Sequence, residues 1–519
     1  MKKTMKQHSF ASRLKSLALV FSIGLAFASC ANEDIAQNPN DKDNDANLTT
    51  FSTGDPSTRT SMESDGKFFW EAGDKIYVKD DNGAWHASSN SPTGKTDNFK
   101  FKVPGKFTKT STYKVYYPGQ NGNQNQVTIA ANQSQAEPNT TAHFGTSGDC
   151  GMADAAWSNA KNGFAFTLDH KAAYLLFLPR TSNTILHDCY LTKVEVNSDN
   201  DITSTYTLDP TTCKLIGTGT GKQITITTKG STGSTYKNGF PLTNNTTSAA
   251  TNGAYVVVKP GTHILKIRYW VKDVATGTEG TITKILSSAT YDQNKYYNIT
   301  ANLDVRDYDG NHYYMWDAQQ QYWDGYEWTK HLPGNTGQPT LQSGGSPNYA
   351  QINMDPRYYN GGSGDPFNAT HSCATLPNAN EMTWYAAKGA PCWDGNELWT
   401  TMGHLYKGGM WFKKKTNISG YNSNTAYDGN DWQTISKTKN FSISHTLPNA
   451  ADAGNYFYLP ALGFYSDGQL SNIGGHCYYW SSSATARSHD TAYGLIINSA
   501  YVRVSSYNRY YGFRVGTFE

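Results

Sequence analysis

Beyond residue 30, the chain has no apolar run near the roughly 20 residues that a helix needs to cross a bilayer. The sequence therefore predicts no transmembrane helix. Net charge is also small, because 44 Lys and Arg oppose 42 Asp and Glu, and no basic cluster follows the N-terminal segment. Proteins that bind nucleic acid usually concentrate positive charge on one surface. We therefore expect no nucleic-acid partner.

Catalytic and metal-binding motifs are absent as well. The sequence contains no G-x-S-x-G, Walker A or H-E-x-x-H pattern. Its cysteines and histidines show neither the C-x₂₋₄-C nor the H-x₃₋₅-H spacing of zinc sites. We expect a protein that is not an enzyme, with no catalytic residue, metal or cofactor. Two acids that meet only in the fold leave no motif, so a paired-carboxylate glycosidase stays open at this stage.

The N-terminus carries an export signal. A lysine-rich start is followed by a short apolar run, Leu17 to Ala28, and then by small residues. The sequence F-A-S-C at residues 27–30 resembles a bacterial lipobox, although Phe27 stands where leucine is usual. That resemblance implies that residues 1–30 are a lipoprotein signal peptide and that Cys30 is lipidated, which would anchor the chain to the outer membrane. The alternative is an ordinary secretory signal with a chance cysteine.

The segment after the signal is polar. Residues 31–58 are rich in Asn and Asp, and we expect them to form a flexible linker. Six cysteines remain after Cys30, and an even number in an exported chain suggests disulfides. Three lie in each half of the chain, so any pairing within the halves leaves some of them as free, buried thiols.

The composition favours β-structure: Gly, Thr, Ser, Asn and 35 Tyr are abundant, and helical periodicity is rare before residue 306. We predict two β-sandwich lobes, over 59–165 and 166–305. The predicted strands are Phe99–Val103, Tyr113–Tyr117, the buried run Tyr174–Leu178, a hairpin of Tyr255–Val258 with Leu265–Val271, and a closing strand Tyr297–Leu303.

Residues 306–519 differ in composition. An aromatic cluster at 308–328 is interpreted as core and interdomain packing, with a ligand-stacking surface as the alternative. One helix is predicted over 378–388, because Asn378 and Glu381 form a capping box and Gly389 follows as a stop. The predicted strands of this α+β region are Tyr456–Leu459, Tyr493–Ile497, Tyr501–Val504 and Tyr511–Val515.

Two motifs near the linker carry a resemblance. T-R-T-S stands at 58–61 and F-W-E-A-G-D-K-I-Y-V at 69–78. Over about 58–305 the chain resembles the fimbrillin family, lipoprotein subunits of type V pili built from two β-sandwich lobes. In that family a protease cuts after an arginine near the N-terminus, and the opened groove accepts a donor strand from another subunit. The resemblance implies processing at Arg59, with other fimbrillin subunits as partners; a surface arginine in a strand that stays paired is the alternative.

Three later blocks carry a second resemblance. They are A-T-L-P-N leading into E-M-T-W-Y-A-A at 374–387, Y-W-S-S-S at 479–483 and R-Y-Y-G-F-R-V at 509–515. These blocks resemble FISUMP-type and formylglycine-generating-enzyme-like domains, which implies that 306–519 is an aromatic-rich connector and a C-type-lectin-like domain. Related enzymes use redox cysteines, but none here lies in a motif that aligns with that active site. The Glu-Pro-Asn and Gln-Pro-Asp tripeptides of calcium-dependent lectins are absent.

The fold class predicted is mainly β, with fimbrillin-like lobes followed by an α+β lectin-like domain. The function predicted is that of a cell-surface pilus subunit, a tip adhesin that assembles by donor-strand addition and binds a host or glycan ligand. The candidate ligand contacts are Trp480, Tyr501 and Tyr507, with core packing as the alternative for Trp480. The tip position is expected because only residues 516–519 follow the last predicted strand. The alternative function is an anchored surface lipoprotein that binds glycan or protein without polymerising.

Overall fold

The hydrophobic core is divided into clusters that follow the chain: one in the first lobe, one in the second, and two in the C-terminal region. The computed structural model describes residues 47–53, 61–62, 68–327, 346–362, 367–516 and 518–519. Strands predominate, so the prediction of a mainly β fold is confirmed. In these ranges no helix is both long and apolar enough to cross a membrane.

The first lobe is built on an eight-stranded sheet in the order β5-β4-β7-β10-β11-β1-β6, with β12 paired to β10. The predicted alternation is confirmed in β6, where Phe101 and Val103 are fully buried, but not throughout β7, where Tyr116 is buried as well because it packs against Trp85 and the core cluster of the second lobe. The elements up to residue 170 are β1 (Leu48–Thr53), β2 (Ser61–Met62), β3 (Phe68–Phe69), β4 (Tyr77–Lys79), β5 (Trp85–Ala87), β6 (Lys100–Pro104), β7 (Tyr113–Tyr117), β8 (Gln126–Ile129), β9 (Asn132–Ser134), α1 (Phe144–Ser147), β10 (Gly151–Ser158), β11 (Gly163–Phe166) and β12 (Asp169–His170).

The second lobe is a sandwich whose two layers enclose one core. Its elements are β13 (Ala173–Arg180), β14 (Cys189–Ser198), β15 (Ser204–Asp209), β16 (Lys214–Ile216), β17 (Gln223–Thr227), β18 (Phe240–Pro241), α2 (Ala249–Asn252), β19 (Ala254–Val258), β20 (Gly261–Asp273), β21 (Glu279–Tyr291) and β22 (Tyr296–Asn302). One layer has the order β19-β13-β22, and the other contains β21-β20-β14-β17-β9. The strands β8 and β9 precede residue 165, yet they pair with β15 and β17 of this lobe.

The predicted hairpin between Tyr255–Val258 and Leu265–Val271 is wrong. β19 pairs with β13, whereas β20 pairs with β14 and β21 in the opposite layer. The turn at Pro260-Gly261 carries the chain from one layer of the sandwich to the other, so the two flanking strands face each other across the core. Alternating apolar residues around a Pro-Gly turn are compatible with a hairpin in one sheet and also with a chain that crosses from one layer to the other.

The C-terminal region combines a six-stranded sheet, β23-β33-β30-β31-β32-β26, with one helix that packs against it. Its elements are β23 (Tyr313–Tyr314), α3 (Ala379–Lys388), β24 (Cys392–Thr401), β25 (His404–Lys413), β26 (Lys439–Phe441), β27 (Tyr456–Pro460), β28 (Phe464–Ser466), β29 (Gln469–Ser471), β30 (Cys477–Ala484), β31 (Thr491–Ile497), β32 (Val502–Asn508) and β33 (Phe513–Arg514). The predicted capping box is confirmed: the Asn378 side chain accepts from Glu381 N, and the Glu381 carboxylate accepts from Asn378 N. The aromatic cluster packs mainly inward, since Tyr313, Trp316 and Trp323 are buried.

The six cysteines after Cys30 are all unpaired thiols. Five of them are buried, and Cys213 is partly exposed in the turn between β15 and β16. The alternative of free, buried thiols is therefore the one that the structure supports. Burial raises the pKa of the Cys392 thiol to about 11, so the thiol form is favoured.

Candidate functional site

The first strand, β1, lies inside the sheet of the first lobe. It pairs antiparallel with β6 over Leu48–Ser52 and parallel with β11 over Phe51–Thr53. Phe51 is fully buried, and its ring stacks on Phe164 with 5.0 Å between the centroids. Without β1, both neighbouring strands would present unpaired backbone groups along a hydrophobic groove.

The flexible linker predicted for residues 31–58 is therefore wrong over Leu48–Thr53. The sequence L-T-T-F-S-T at 48–53 is a short run of residues that favour β-structure, next to a polar segment. Its composition is the only feature of the sequence that indicates a strand there. The segment becomes a strand because β6 and β11 supply its hydrogen-bond partners and Phe164 supplies a packing surface.

The predicted processing and lipidation residues, Arg59 and Cys30, lie outside the described residues. Arg59 stands six positions after the end of β1 and two before the start of β2. A cut after Arg59 would consequently separate β1 from every strand that follows it in the chain.

Trp480, one of the three predicted ligand contacts, is a core residue. Its side chain is fully buried, and its indole Nε1 donates to Tyr314 O at 2.8 Å. The ring stacks on Phe513 with 4.2 Å between the centroids. Trp480 presents no surface to a ligand in this structure, which corresponds to the packing alternative.

The other two predicted contacts, Tyr501 and Tyr507, are partly exposed and lie near the two ends of β32 in the six-stranded sheet. Arg503 lies between them along the chain, with its guanidinium carbon 4.8 Å from the centre of the Tyr501 ring. Arg503 also lies near Tyr507, and burial raises the pKa of Tyr507 to about 12. Tyr478 borders the group from β30. We call these four residues the tyrosine–arginine surface.

This surface offers aromatic faces, phenol hydroxyls and one cation on strands with a fixed register. Ile496 connects Tyr478 with Arg503 across the sheet, because β31 pairs with both β30 and β32. Arg503 is held in place, since its Nε donates to Asn440 Oδ1 at 2.6 Å. Groups of this type bind sugars and peptides by stacking and hydrogen bonding. The sequence pointed to Tyr501 and Tyr507 but missed Arg503 and Tyr478, whose proximity depends on strand register.

A buried ionic cluster joins the second lobe to the C-terminal region. Arg268 on β20 donates through one amino group to both oxygens of Asp394 on β24, at 2.9 and 3.0 Å. Three residues further on, Glu397 accepts hydrogen bonds from the Thr281 and Thr283 hydroxyls at 3.0 and 2.7 Å. This cluster leaves no pattern in the sequence, because its members come from strands far apart in the chain.

Comparison with known proteins gives partial matches in fold. A candidate cell adhesion protein from Bacteroides ovatus matches with 14% sequence identity and a TM-score of 0.30, over 49% of this chain and 93% of that one. A similar protein from Bacteroides uniformis matches with 16% identity and a TM-score of 0.27, over 49% and 94%. The fimbrial anchor protein Mfa2 from Porphyromonas gingivalis matches with 10% identity and a TM-score of 0.22, over 49% and 90%.

No protein-family model matches the sequence, and no curated protein matches it. The low TM-scores of the matching structures do not assign the chain to a family.

Proposed function

We propose that this chain is a fimbria-associated adhesin of the cell surface that accepts a strand from another subunit in place of β1. In this proposal the chain is exported, lipidated at Cys30, carried to the outer membrane and cut after Arg59. The observation that carries the proposal is the place of β1, an interior strand between β11 and the edge strand β6 that is joined to the downstream chain only through the segment that contains Arg59.

The physical reason is the cost of an open groove. Loss of β1 would leave β6 without its strand partner, would leave one edge of β11 unpaired while β11 keeps its pairing with β10, and would expose Phe164 and its neighbours. A foreign strand that presents an apolar side chain at the position of Phe51 restores both the hydrogen bonds and the packing.

We further propose that the chain occupies the end of a filament. Its last strand, β33, is paired with β23 and with β30, and Phe513 is fully buried. Donation of this segment to a neighbour would open the core of the C-terminal region. The chain would thus accept a strand without giving β33 in return.

We also propose that the chain binds a ligand and does not catalyse a reaction. Ligand contact is assigned to the tyrosine–arginine surface, through Tyr501 and Tyr507. A redox enzyme needs a reactive thiolate, whereas burial raises the pKa values of Cys373, Cys392 and Cys477. This supports a function in adhesion and not in thiol chemistry.

Replacing Arg59 by alanine is expected to block processing and incorporation into filaments. The variant should stay at the size of the lipidated precursor on immunoblots and be absent from sheared filaments. Lys237→Ala, which removes one exposed cation elsewhere, should be processed normally. Immunogold labelling of the unchanged chain should mark filament ends.

Normal maturation of Arg59→Ala would exclude strand exchange at this position and favour the anchored lipoprotein that keeps β1. Gold along the filament shaft would exclude the terminal position.

The double variant Tyr501→Ala/Tyr507→Ala is expected to fold and to lose attachment to host glycans or cells. Both side chains are partly exposed, so their loss removes contact area. Tyr507 also packs against Phe513, with 5.5 Å between the ring centroids, so a thermal unfolding curve must show that the variant is folded. Tyr296→Ala, which removes a 49% exposed tyrosine in the second lobe, is the control. Unchanged attachment of the double variant on a glycan array would rule out these two residues as contacts.

A further inference from the structure

A cavity of about 300 Å³ lies between the second lobe and the C-terminal region. Its walls come from β21, the segment after β22, β24, β27, β30 and β33, all within one compact unit. The cavity is distinct from the tyrosine–arginine surface, since it contains none of the four residues of that surface. Its volume is at the lower end of the range for small-molecule sites.

Three cations line this cavity: Lys284, Arg306 and Arg514. Arg514 is only 6% exposed, and its Nη1 has no hydrogen-bond partner among the described residues. Both arginines approach the ring of Tyr308, with guanidinium carbons 4.9 Å (Arg306) and 5.6 Å (Arg514) from its centre. Burial lowers the pKa values of Lys284 and Arg514, and the acids near them offset this effect only in part.

The carboxylates on the same walls are already engaged. Asp304 accepts from the Thr181 and Ser182 hydroxyls, each at 2.7 Å, and these bonds hold its pKa below the usual range although burial opposes this. Glu519 forms an ion pair with Lys414 at 3.5 Å.

The third carboxylate, Glu397, is bound by Thr281 and Thr283. Burial and the nearby Asp394 raise its pKa to about 7, so it carries only part of a negative charge at neutral pH. The three cations therefore face two full carboxylate charges and the partial charge of Glu397, so the described part of the cavity has a positive excess of less than one unit.

The rest of the wall is aromatic and aliphatic. It includes Phe457, Tyr458, Leu459 and Tyr479, of which Phe457 and Tyr479 are only 6% and 3% exposed. A ligand that fills the cavity therefore meets cations on one part and apolar surface on the rest. Aromatic rings accept the apolar face of a sugar ring, while guanidinium groups bind carboxylates through two parallel hydrogen bonds.

We propose that this cavity binds an acidic monosaccharide, with the carboxylate at Arg514 and Lys284 and the sugar ring against the aromatic wall. A single carboxylate balances this small positive excess more closely than a doubly charged phosphate does. The volume admits one sugar residue, either free or at the end of a glycan. This site does not depend on strand exchange and is separate from Tyr501 and Tyr507.

Isothermal titration of the full chain with glucuronate, N-acetylneuraminate, glucose and inorganic phosphate tests the proposal. We expect saturable binding of at least one acidic sugar and none of glucose. Sialyllactose and free N-acetylneuraminate distinguish a glycan terminus from a free sugar. Binding of glucose as tight as that of glucuronate, binding of phosphate alone, or no binding of either acidic sugar would overturn the proposal.

Two variants test the assignment of charge. Lys284→Ala should weaken binding of the acidic sugar by about tenfold, the loss of one charge-assisted hydrogen bond, while the exposed Lys295→Ala should leave it unchanged. Glu397→Gln keeps the shape of the wall and removes negative charge, so binding at pH 8 should become tighter. Unchanged affinity in both Lys284→Ala and Glu397→Gln would place the carboxylate of the sugar elsewhere.

The Tyr501→Ala/Tyr507→Ala variant should bind the acidic sugar normally, which separates this site from the tyrosine–arginine surface.

Discussion

Truncation of Phe51 to alanine is expected to destabilise the uncut chain by about 3–5 kcal/mol, the usual cost of deleting a buried phenylalanine ring. The ring is fully buried against Phe164 and lies edge-on to Phe107, with centroids 5.0 and 5.2 Å away. Urea unfolding followed by tryptophan fluorescence measures the loss. Thr49→Ala, in the same strand but partly exposed, should cost less than about 1 kcal/mol.

The same residue gives a sharper test after cleavage. Trypsin-cut protein from which the β1 peptide has been removed should be less stable than the intact chain. A synthetic peptide of residues 47–53 should restore that stability, and the same peptide with Phe51→Ala should restore much less. Equal rescue by both peptides, or a Phe51→Ala chain as stable as the parent, would contradict the view that this groove depends on the Phe51 ring.

Replacement of Asp394 by alanine is expected to cost about 3–5 kcal/mol, because it removes the ion-pair partner of the buried Arg268 and leaves its guanidinium the neutral Thr281 hydroxyl, 2.8 Å away. The side chains of Arg268 and Asp394 are 8% and 2% exposed, and the Trp411 indole also donates to Asp394 at 3.2 Å. The matched control is Asp154→Ala, which breaks the ion pair between Asp154 and Lys114. This pair has the same 2.9 Å length, but the side chains of Lys114 and Asp154 are 35% and 59% exposed. We expect about 0–1 kcal/mol there.

A double variant separates the charge from the packing. Arg268→Met/Asp394→Leu replaces the pair by apolar side chains and should recover most of the stability that Asp394→Ala loses, since buried ion pairs often add little over well-packed apolar groups. Guanidinium unfolding curves for the set provide the measurement. A loss in Asp394→Ala as small as that in Asp154→Ala would show that Arg268 finds another partner or reaches water.

Sequence patterns predicted the elements whose signals are local. The helix at α3 was predicted with its cap, because Asn378 and Glu381 are three residues apart and interact within one turn. The strand Tyr113–Tyr117 was predicted from alternation alone and has the predicted bounds. In both cases the residues that decide the structure are neighbours in the chain.

Features that depend on distant partners were missed. The β1 strand needs β6 and β11, and the orientation of β19 against β20 depends on which layer each strand joins. The cation-lined cavity brings Lys284 and Arg514 together from elements separated by more than 200 positions. No local periodicity encodes such proximity.

The cysteines set the conditions under which this fold can persist. No disulfide crosslinks the described residues, so hydrophobic packing and strand pairing supply the stability there. Addition or removal of a reductant should therefore leave the folded state unchanged, and an organism that moves between anoxic and oxygenated surroundings would need no oxidative folding machinery to produce it. Five of the six thiols become accessible to an alkylating reagent only when the core opens, which gives the chain an internal reporter of its own unfolding.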